Sequence, residues 1–230
     1  MRRYAIYYAP RPDLPLAQFA RSWLGRDPES GALCRQPALS NITSSRLAEL
    51  TADPRHYGFH GTLKPPFALA PGISDDDLFT AVSAFAAARP EIHLDGIVLK
   101  QIGRFVALVP RGKSTALNDL AADCVRDFDI FRAPPSSEDL ARRRAAGLSP
   151  RQDAYLVRWG YPYVLEEFRF HLTLTGSLDE PEGSLLKQIL NDMTVPFRAA
   201  PLEIEDLVIF AQEDREAPFQ VLARFPLAGP

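Results

Sequence analysis

Two cysteines, Cys34 and Cys124, are all the thiols this chain of 230 residues carries. They cannot build a disulfide framework or a zinc ligand set. Long apolar runs are also missing: no stretch of about 18 apolar residues is present, so no segment reads as a membrane span. Charge of one sign is not in excess, with 26 basic against 29 acidic residues and a formal charge of −3. That balance lacks the basic footprint of a duplex nucleic-acid binder. The basic start, Met1-Arg2-Arg3-Tyr4, is followed by an apolar run, Ala5 to Ala9, too short and too aromatic for a signal peptide. Lysine is scarce, 4 against 22 arginines, a bias read as base composition of the genome. Histidine is equally scarce: four residues, His56, His60, His93 and His171, hold all the imidazole chemistry. The expectation is a cytoplasmic, soluble chain that needs no metal or other cofactor, large enough to bury a core without cross-links.

What is present is ordinary globular composition, 46% hydrophobic, punctuated by 21 prolines. Tyr4 to Ala9 reads as a strand ended by Pro10, and 15–24 as a short amphipathic helix. Residues 27–45 read as loop, 47–52 as a helical turn, and 57–64 as a strand. Ser74 opens a helix, with Asp75, Asp76 and Asp77 suited to the positive end of its dipole. Residues 92–101 and 104–109 form a hairpin pair; a second helix runs to Phe128. A basic helical stretch spans 132–163. A strand over 168–175, a helix over 181–193 and a hairpin over 202–225 close the chain. The order His-bearing strand, helix, hairpin thus occurs twice. It predicts one α+β domain over 1–230, with lobes at approximately 1–115 and 164–230 and a helical insertion at approximately 132–163. Helices are expected on the outer faces of antiparallel sheets.

Two of the four histidines open the same tripeptide. His60-Gly61-Thr62 lies in YGFHGTLKPPF, and His171-Leu172-Thr173 in FRFHLTLTG. With eight threonines in the chain, two such coincidences have a chance below about 1%. On a strand, residues i and i+2 point to one side. His60, Thr62 and Lys64 are therefore expected on one face, and Arg169, His171, Thr173 and Thr175 on one face of the second strand. If the two sheets face each other, the His-Thr pairs converge. Paired imidazoles suit acid–base work near neutrality, one taking a proton as the other gives one. Threonine hydroxyls can donate to an anionic group, and a phosphodiester fits. Lys64 is expected to add positive charge.

These paired motifs resemble those of the two-histidine (2H) phosphoesterase superfamily, which includes LigT-like RNA 2′,3′-cyclic phosphodiesterases. The two extended strings resemble more narrowly a branch associated with phosphonate-utilisation operons. The resemblance covers nearly the whole chain. It implies a bilobal fold, two pseudo-symmetric antiparallel β-sheets flanking a cleft with helices outside. It implies metal-independent hydrolysis of a small cyclic phosphodiester, with a phosphoribosyl cyclic phosphate suggested by the operon association. His60 and His171 carry over as the acid–base pair, in an order left open, and Thr62 and Thr173 as phosphate-oxygen donors. An RNA-end 2′,3′-cyclic phosphodiesterase and a non-catalytic binder of a phosphorylated ligand are the alternatives. A monomer is expected, with a small phosphate ester as partner and RNA ends as the alternative one.

Other residues carry weaker signals. Tyr4, Arg132 and Tyr163 are candidate substrate contacts, with Tyr155, Arg158 and Tyr161 beside the last two. Arg142-Arg143-Arg144 reads as a solvated helix face or an anion patch, His56 as a loop residue near the motif, and His93 as a surface strand position. Residues 107–114, ALVPRGKS, match a relaxed phosphate-loop pattern. One glycine and the missing N–H of Pro110 leave too few backbone donors for a phosphate cradle, and the stretch reads instead as strand and turn.

Overall fold

Alternating apolar residues set the first strand, β1 (Arg3–Tyr8). Tyr4, Ile6 and Tyr8 point into the main core, whereas Ala5 and Tyr7 point to the opposite face and join Val208, Phe210 and Phe219 in a smaller cluster. The computed structural model describes residues 1–198 and 200–229. After β1 come α1 (Pro15–Leu24), α2 (Ser44–Leu50), α3 (Ala52–Tyr57), β2 (Gly61–Phe67) and α4 (Asp75–Ala87). Then follow β3 (Ile92–Leu94), β4 (Ile97–Ile102), β5 (Phe105–Pro110), α5 (Thr115–Asp127), α6 (Ser137–Arg144) and α7 (Pro150–Trp159). The rest is β6 (Leu172–Thr173), α8 (Glu182–Met193), α9 (Val195–Arg198), β7 (Leu202–Ile204), β8 (Asp206–Gln212) and β9 (Gln220–Pro226).

Local chemistry explains the helix starts. Ser74 accepts from the Asp77 N–H, and Asp77 reaches back to the Ser74 backbone, a capping box at α4. Ser149 and Gln152 do the same at α7, where Pro150 takes the first helical position and needs no hydrogen bond. Gly25 ends α1 and Gly160 ends α7 with positive φ, 77° and 75°, which a side chain would resist. The stretch expected as loop before Ser45 carries only isolated bridges, and α2 begins at its end.

Seven strands form one antiparallel sheet in the order β4-β5-β6-β2-β1-β8-β9; β3 and β7 pair separately. The main core fills the side of the sheet to which α1, α4, α5 and α8 contribute Trp23, Leu78, Val82, Leu117, Leu120 and Leu186. Trp23 ties α1 to the residue just after β6, its indole N–H donating to the Leu174 carbonyl at 2.7 Å. The architecture is α+β, with a large antiparallel sheet, a smaller one, and helices around them.

The internal duplication is present, in a register different from the one expected. β1, β2, α4, β3 and β4 correspond in order to β5, β6, α8, β7 and β8, and β9 is an addition. Equivalent elements meet at the sheet centre, where β2 pairs with β6, and in the small sheet, where β3 pairs with β7. The repeat boundary is the tight turn between Ile102 and Phe105. Strands of the lobe expected at approximately 1–115 occur on both sides of the β6–β2 junction. β4 and β5, early in the chain, lie on the same side of the sheet as β6, while β1 and β2 lie on the same side as β8 and β9, late in the chain. The two half-sheets join through the motif strands, where β2 pairs with β6.

Candidate active site

The x residues of the two H-x-T motifs, Gly61 and Leu172, are direct partners across β2 and β6. Antiparallel register then sets His60 opposite Thr173 and Thr62 opposite His171. Gly61 and Leu172 are buried, Leu172 in the main core, and the four polar residues lie on the other face. One continuous face therefore holds both imidazoles and both hydroxyls. Each repeat contributes one pair, and the flanking strands have matching registers, Tyr7 opposite Thr62 and Ala107 opposite Thr173.

Backbone chemistry orients both rings the same way. His60 Nδ1 lies 2.9 Å from the Gly58 carbonyl oxygen, and His171 Nδ1 lies 2.7 Å from the Arg169 carbonyl oxygen. A carbonyl can only accept, so each Nδ1 carries the proton and each Nε2 is free to exchange one. Gly58 makes the first geometry possible. Its φ of 78° and ψ of 165° suit glycine, and a Cβ there would come within 2.9 Å of Pro28. Thr62 Oγ1 lies 3.3 Å from His60 Nε2, so the hydroxyl and the ring nitrogen address one point in space.

The surroundings of the two rings differ. Tyr7 stacks on His60 at 3.8 Å between centroids, with Tyr57 at 6.1 Å and Phe210 at 6.2 Å. Burial pulls the His60 imidazole down to about 4, opposed by its bond to Gly58 and assisted by the neighbouring His171. On the other repeat the position of Tyr7 is taken by Ala107, and Phe105 tilts toward His171 at 5.6 Å. Near pH 7 His60 is neutral, with its Nε2 lone pair available.

Several expected contacts lie elsewhere. Lys64 does not share the face of His60 and Thr62. Thr62 is opposite Tyr7 but Lys64 is opposite Ile6, so Leu63 is an extra residue that breaks the alternation. Lys64 is turned into the helix side, where its ammonium donates to the Val125 carbonyl at 3.0 Å and lies 4.0 Å from Asp129. Burial lowers it to about 8. Tyr4 also faces the core. Its hydroxyl donates to Asp75 on α4 at 2.5 Å, and Tyr7, of opposite parity on β1, is the tyrosine at the site. Arg132 is held by Asp129 at 2.9 Å and bridges to the Arg158 carbonyl at the end of α7. Tyr163 is exposed and packs edge-on against Tyr161 at 5.7 Å.

His56 accepts from Gln212 Nε2 at 2.9 Å and is half-buried beside the site. His93 lies on the exposed side of β3 against Glu203. In the phosphate-loop-like stretch, 107–110 belong to antiparallel β5, Lys113 is exposed, and Ser114 caps α5 by accepting from the Leu117 N–H at 3.1 Å. Its backbone is thus engaged in strand and cap. Tyr7, Tyr57 and Gly58 are not singled out for the site by the sequence. The parity of β1, and an i−2 carbonyl before each histidine, are the signals that mark the first and third.

Among the described residues, no group of three or more His, Cys, Asp or Glu side chains is placed to hold a metal ion. No described helix is long and apolar enough to cross a membrane.

Comparison with known proteins gives relatives of three kinds. Two curated relatives bear the name ribose 1,5-bisphosphate phosphokinase PhnN. The one from Janthinobacterium sp. (strain Marseille) is 42% identical over 233 residues, covering 100% of this chain and 51% of its own. The one from Laribacter hongkongensis is 32% identical over 220 residues, covering 95% and 50%. The chain spans about half the length of these curated relatives. Among solved structures, E. coli LigT complexed with 3′-AMP aligns over 98% of both chains at 16% identity and a TM-score of 0.42. The protein TT0787 of Thermus thermophilus aligns over 99% of this chain and 98% of its own at 14% identity, also with a TM-score of 0.42. Residues 62–220 match the model of a family described as "Protein of unknown function (DUF1045)", from the first motif threonine to the start of β9, and the chain belongs to that family.

Proposed function

We propose that the protein hydrolyses a small cyclic phosphodiester by a two-histidine acid–base mechanism. The observation that carries the reading is the Gly61–Leu172 pairing, which sets two His-Thr pairs on one face about a local two-fold axis. A phosphodiester has the same local symmetry: two non-bridging oxygens, with attacking and leaving oxygens in line on either side of phosphorus.

His60 takes the part of general base. Its Nε2 accepts a proton from water as the water oxygen attacks phosphorus. The bond from phosphorus to one ring oxygen breaks, and His171, protonated on Nε2, gives its proton to that oxygen. The products are a phosphomonoester and a free hydroxyl. The protons on the two rings have exchanged places and reset through solvent. Thr62 and Thr173 donate to the non-bridging oxygens, where charge grows in the transition state. Acid–base groups of this kind contribute about 10²–10⁴-fold each. The burial that keeps His60 neutral near pH 7 supports its part as base.

The names of the curated relatives support a phosphorylated pentose as the substrate class, and we propose a phosphoribosyl cyclic phosphate, as in phosphonate metabolism. The test is a panel of cyclic phosphodiesters, with and without EDTA, against wild type, His60→Ala and His171→Ala. Turnover by wild type that persists in EDTA and is lost in both variants is expected. Turnover of none of the panel overturns the reading, and turnover abolished by EDTA overturns the metal-free mechanism.

A further inference from the structure

A second feature of the same molecule lies further along β1. Between the end of β2, the start of α6 and the loop joining β8 to β9 is a cavity of about 400 Å³. Its lining includes five arginines, Arg3, Arg132, Arg142, Arg143 and Arg215, against a single carboxylate, Asp139. The size is that of a small-molecule site.

The charge in this cavity is not cancelled from within. Asp139 is shared by two guanidinium groups, Arg142 at 2.5 Å and Arg215 at 2.8 Å. Arg3 is bound by the neutral carbonyl of Gln212. Burial lowers the Arg3 pKa, and nearby Arg215 and Arg142 lower it further. Among the described residues Arg143 has no carboxylate partner, and its guanidinium lies 4.6 Å over the Tyr161 ring. Arg132 is neutralised by Asp129, and two further N–H groups donate to the Ala133 and Arg158 carbonyls. Like charges gathered in a partly desolvated space are costly unless an anion joins them. Planar guanidinium forks match a terminal phosphate in geometry as well as charge.

The cavity is connected to the His60 site by contacts. Arg3 has the parity of Tyr7 on β1, four residues away, about 13 Å between Cα atoms. Its guanidinium lies 5.5 Å from the Phe219 ring. Phe219 stacks with Tyr57 at 5.4 Å, and Tyr57 lies 6.1 Å from His60. Tyr57 and the fully buried Phe219 therefore form a chain of ring contacts from the imidazole to Arg3.

We infer that the arginine-lined cavity is a phosphomonoester subsite, so that the substrate carries a terminal phosphate in addition to the cyclic diester at the histidines. The assignment rests on the diesterase reading for what lies at the histidines. α6 supplies Arg142, Arg143 and Asp139, which gives the helical segment between α5 and β6 a function in substrate selection.

The experiment has two arms. In the first, calorimetry measures binding of ribose 5-phosphate, ribose and inorganic phosphate to wild type, Arg143→Ala, Arg142→Ala and His60→Ala, with melting curves to verify folding. Wild type and His60→Ala are expected to bind ribose 5-phosphate and not ribose. Arg143→Ala and Arg142→Ala are expected to bind it tenfold or more weakly. Inorganic phosphate bound as tightly as the sugar phosphate, with the same loss in the arginine variants, would make the cavity an adventitious anion site and overturn the subsite. Equal binding of ribose 5-phosphate by folded arginine variants and wild type also overturns it. In the second arm, kcat/KM is compared for cyclic diesters with and without the terminal phosphate. A preference of tenfold or more that vanishes in Arg143→Ala supports the subsite, and no preference overturns it. If no diester is turned over but the first arm succeeds, the subsite stands and the diesterase reading falls.

Discussion

Gly61 and Leu172 lie directly opposite each other at the centre of the sheet, each the middle residue of an H-x-T motif and each the other's partner. Everything on the polar face follows from that register. A slip of one residue would send one His-Thr pair into the core. The pairing also explains why the two middle residues differ. Leu172 fills the core, and Gly61 lies under Phe170, where a Cβ would come within 2.3 Å of the ring.

Gly61→Ala should therefore overpack the sheet centre, costing about 1–3 kcal/mol. A lower melting temperature, with near-ultraviolet circular dichroism reporting displaced aromatic rings, is the expected outcome. An unchanged melting temperature would mean that Phe170 has room to move aside.

The Tyr7 ring shields His60, and its removal should be felt in titration more than in binding. Tyr7→Leu admits water to the imidazole face. The His60 pKa should then climb from about 4 toward the ordinary value of about 6.5. Proton NMR of the ring C–H signals measures this, with Tyr7→Phe, which keeps the stack, expected to titrate as wild type does.

The pH dependence of folding has a definite sign. His60 has a lower pKa folded than unfolded, so between about 4 and 6.5 the unfolded chain binds more protons at this position. Its contribution to stability is complete above about pH 6.5 and is lost as pH falls through that window. The difference in melting temperature between wild type and His60→Asn should shift in favour of the variant from pH 7 to pH 4.5. In the catalytic reading, kcat/KM should likewise fall on the acid side as His60 gains a proton.

Lys64→Met should leave KM for the cyclic diester unchanged, because the Lys64 ammonium is engaged with Val125 and Asp129 on the helix side of the sheet. Stability is the property at risk, since Asp129 would lose one of its cationic neighbours. A tenfold rise in KM with an unchanged melting temperature would instead put Lys64 at the phosphate.

The sequence carries the site in its repeated tripeptide and the fold class in its alternation of strand and helix patterns. Period-two alternation was enough to set His60 with Thr62 and His171 with Thr173. It failed at Lys64 because one extra residue, Leu63, resets the parity of β2, and a bulge has no local signature when Thr-Leu-Lys-Pro reads as plain strand. It failed at Tyr4 because both faces of β1 are aromatic and buried, so polarity could not tell Tyr4 from Tyr7. The repeat boundary is not legible locally, because a strand–helix–hairpin series can be cut at more than one point. Only the pairing of β5 with β6 in the register of β1 with β2 fixes it at Ile102–Phe105. The arginine cavity draws on residues 3, 132, 142, 143 and 215, which no local pattern could bring together.

The most direct test of the central claim, that His60 and His171 act as one acid–base pair, is a double-mutant cycle on kcat/KM for a cyclic phosphodiester. Groups that act together in one step lose their effect together. Each of His60→Ala and His171→Ala should cost about 100-fold or more, and the double variant should be slower than either by less than about tenfold. Costs that multiply in the double variant, or a wild-type rate in either single variant, would contradict a shared reaction at this site.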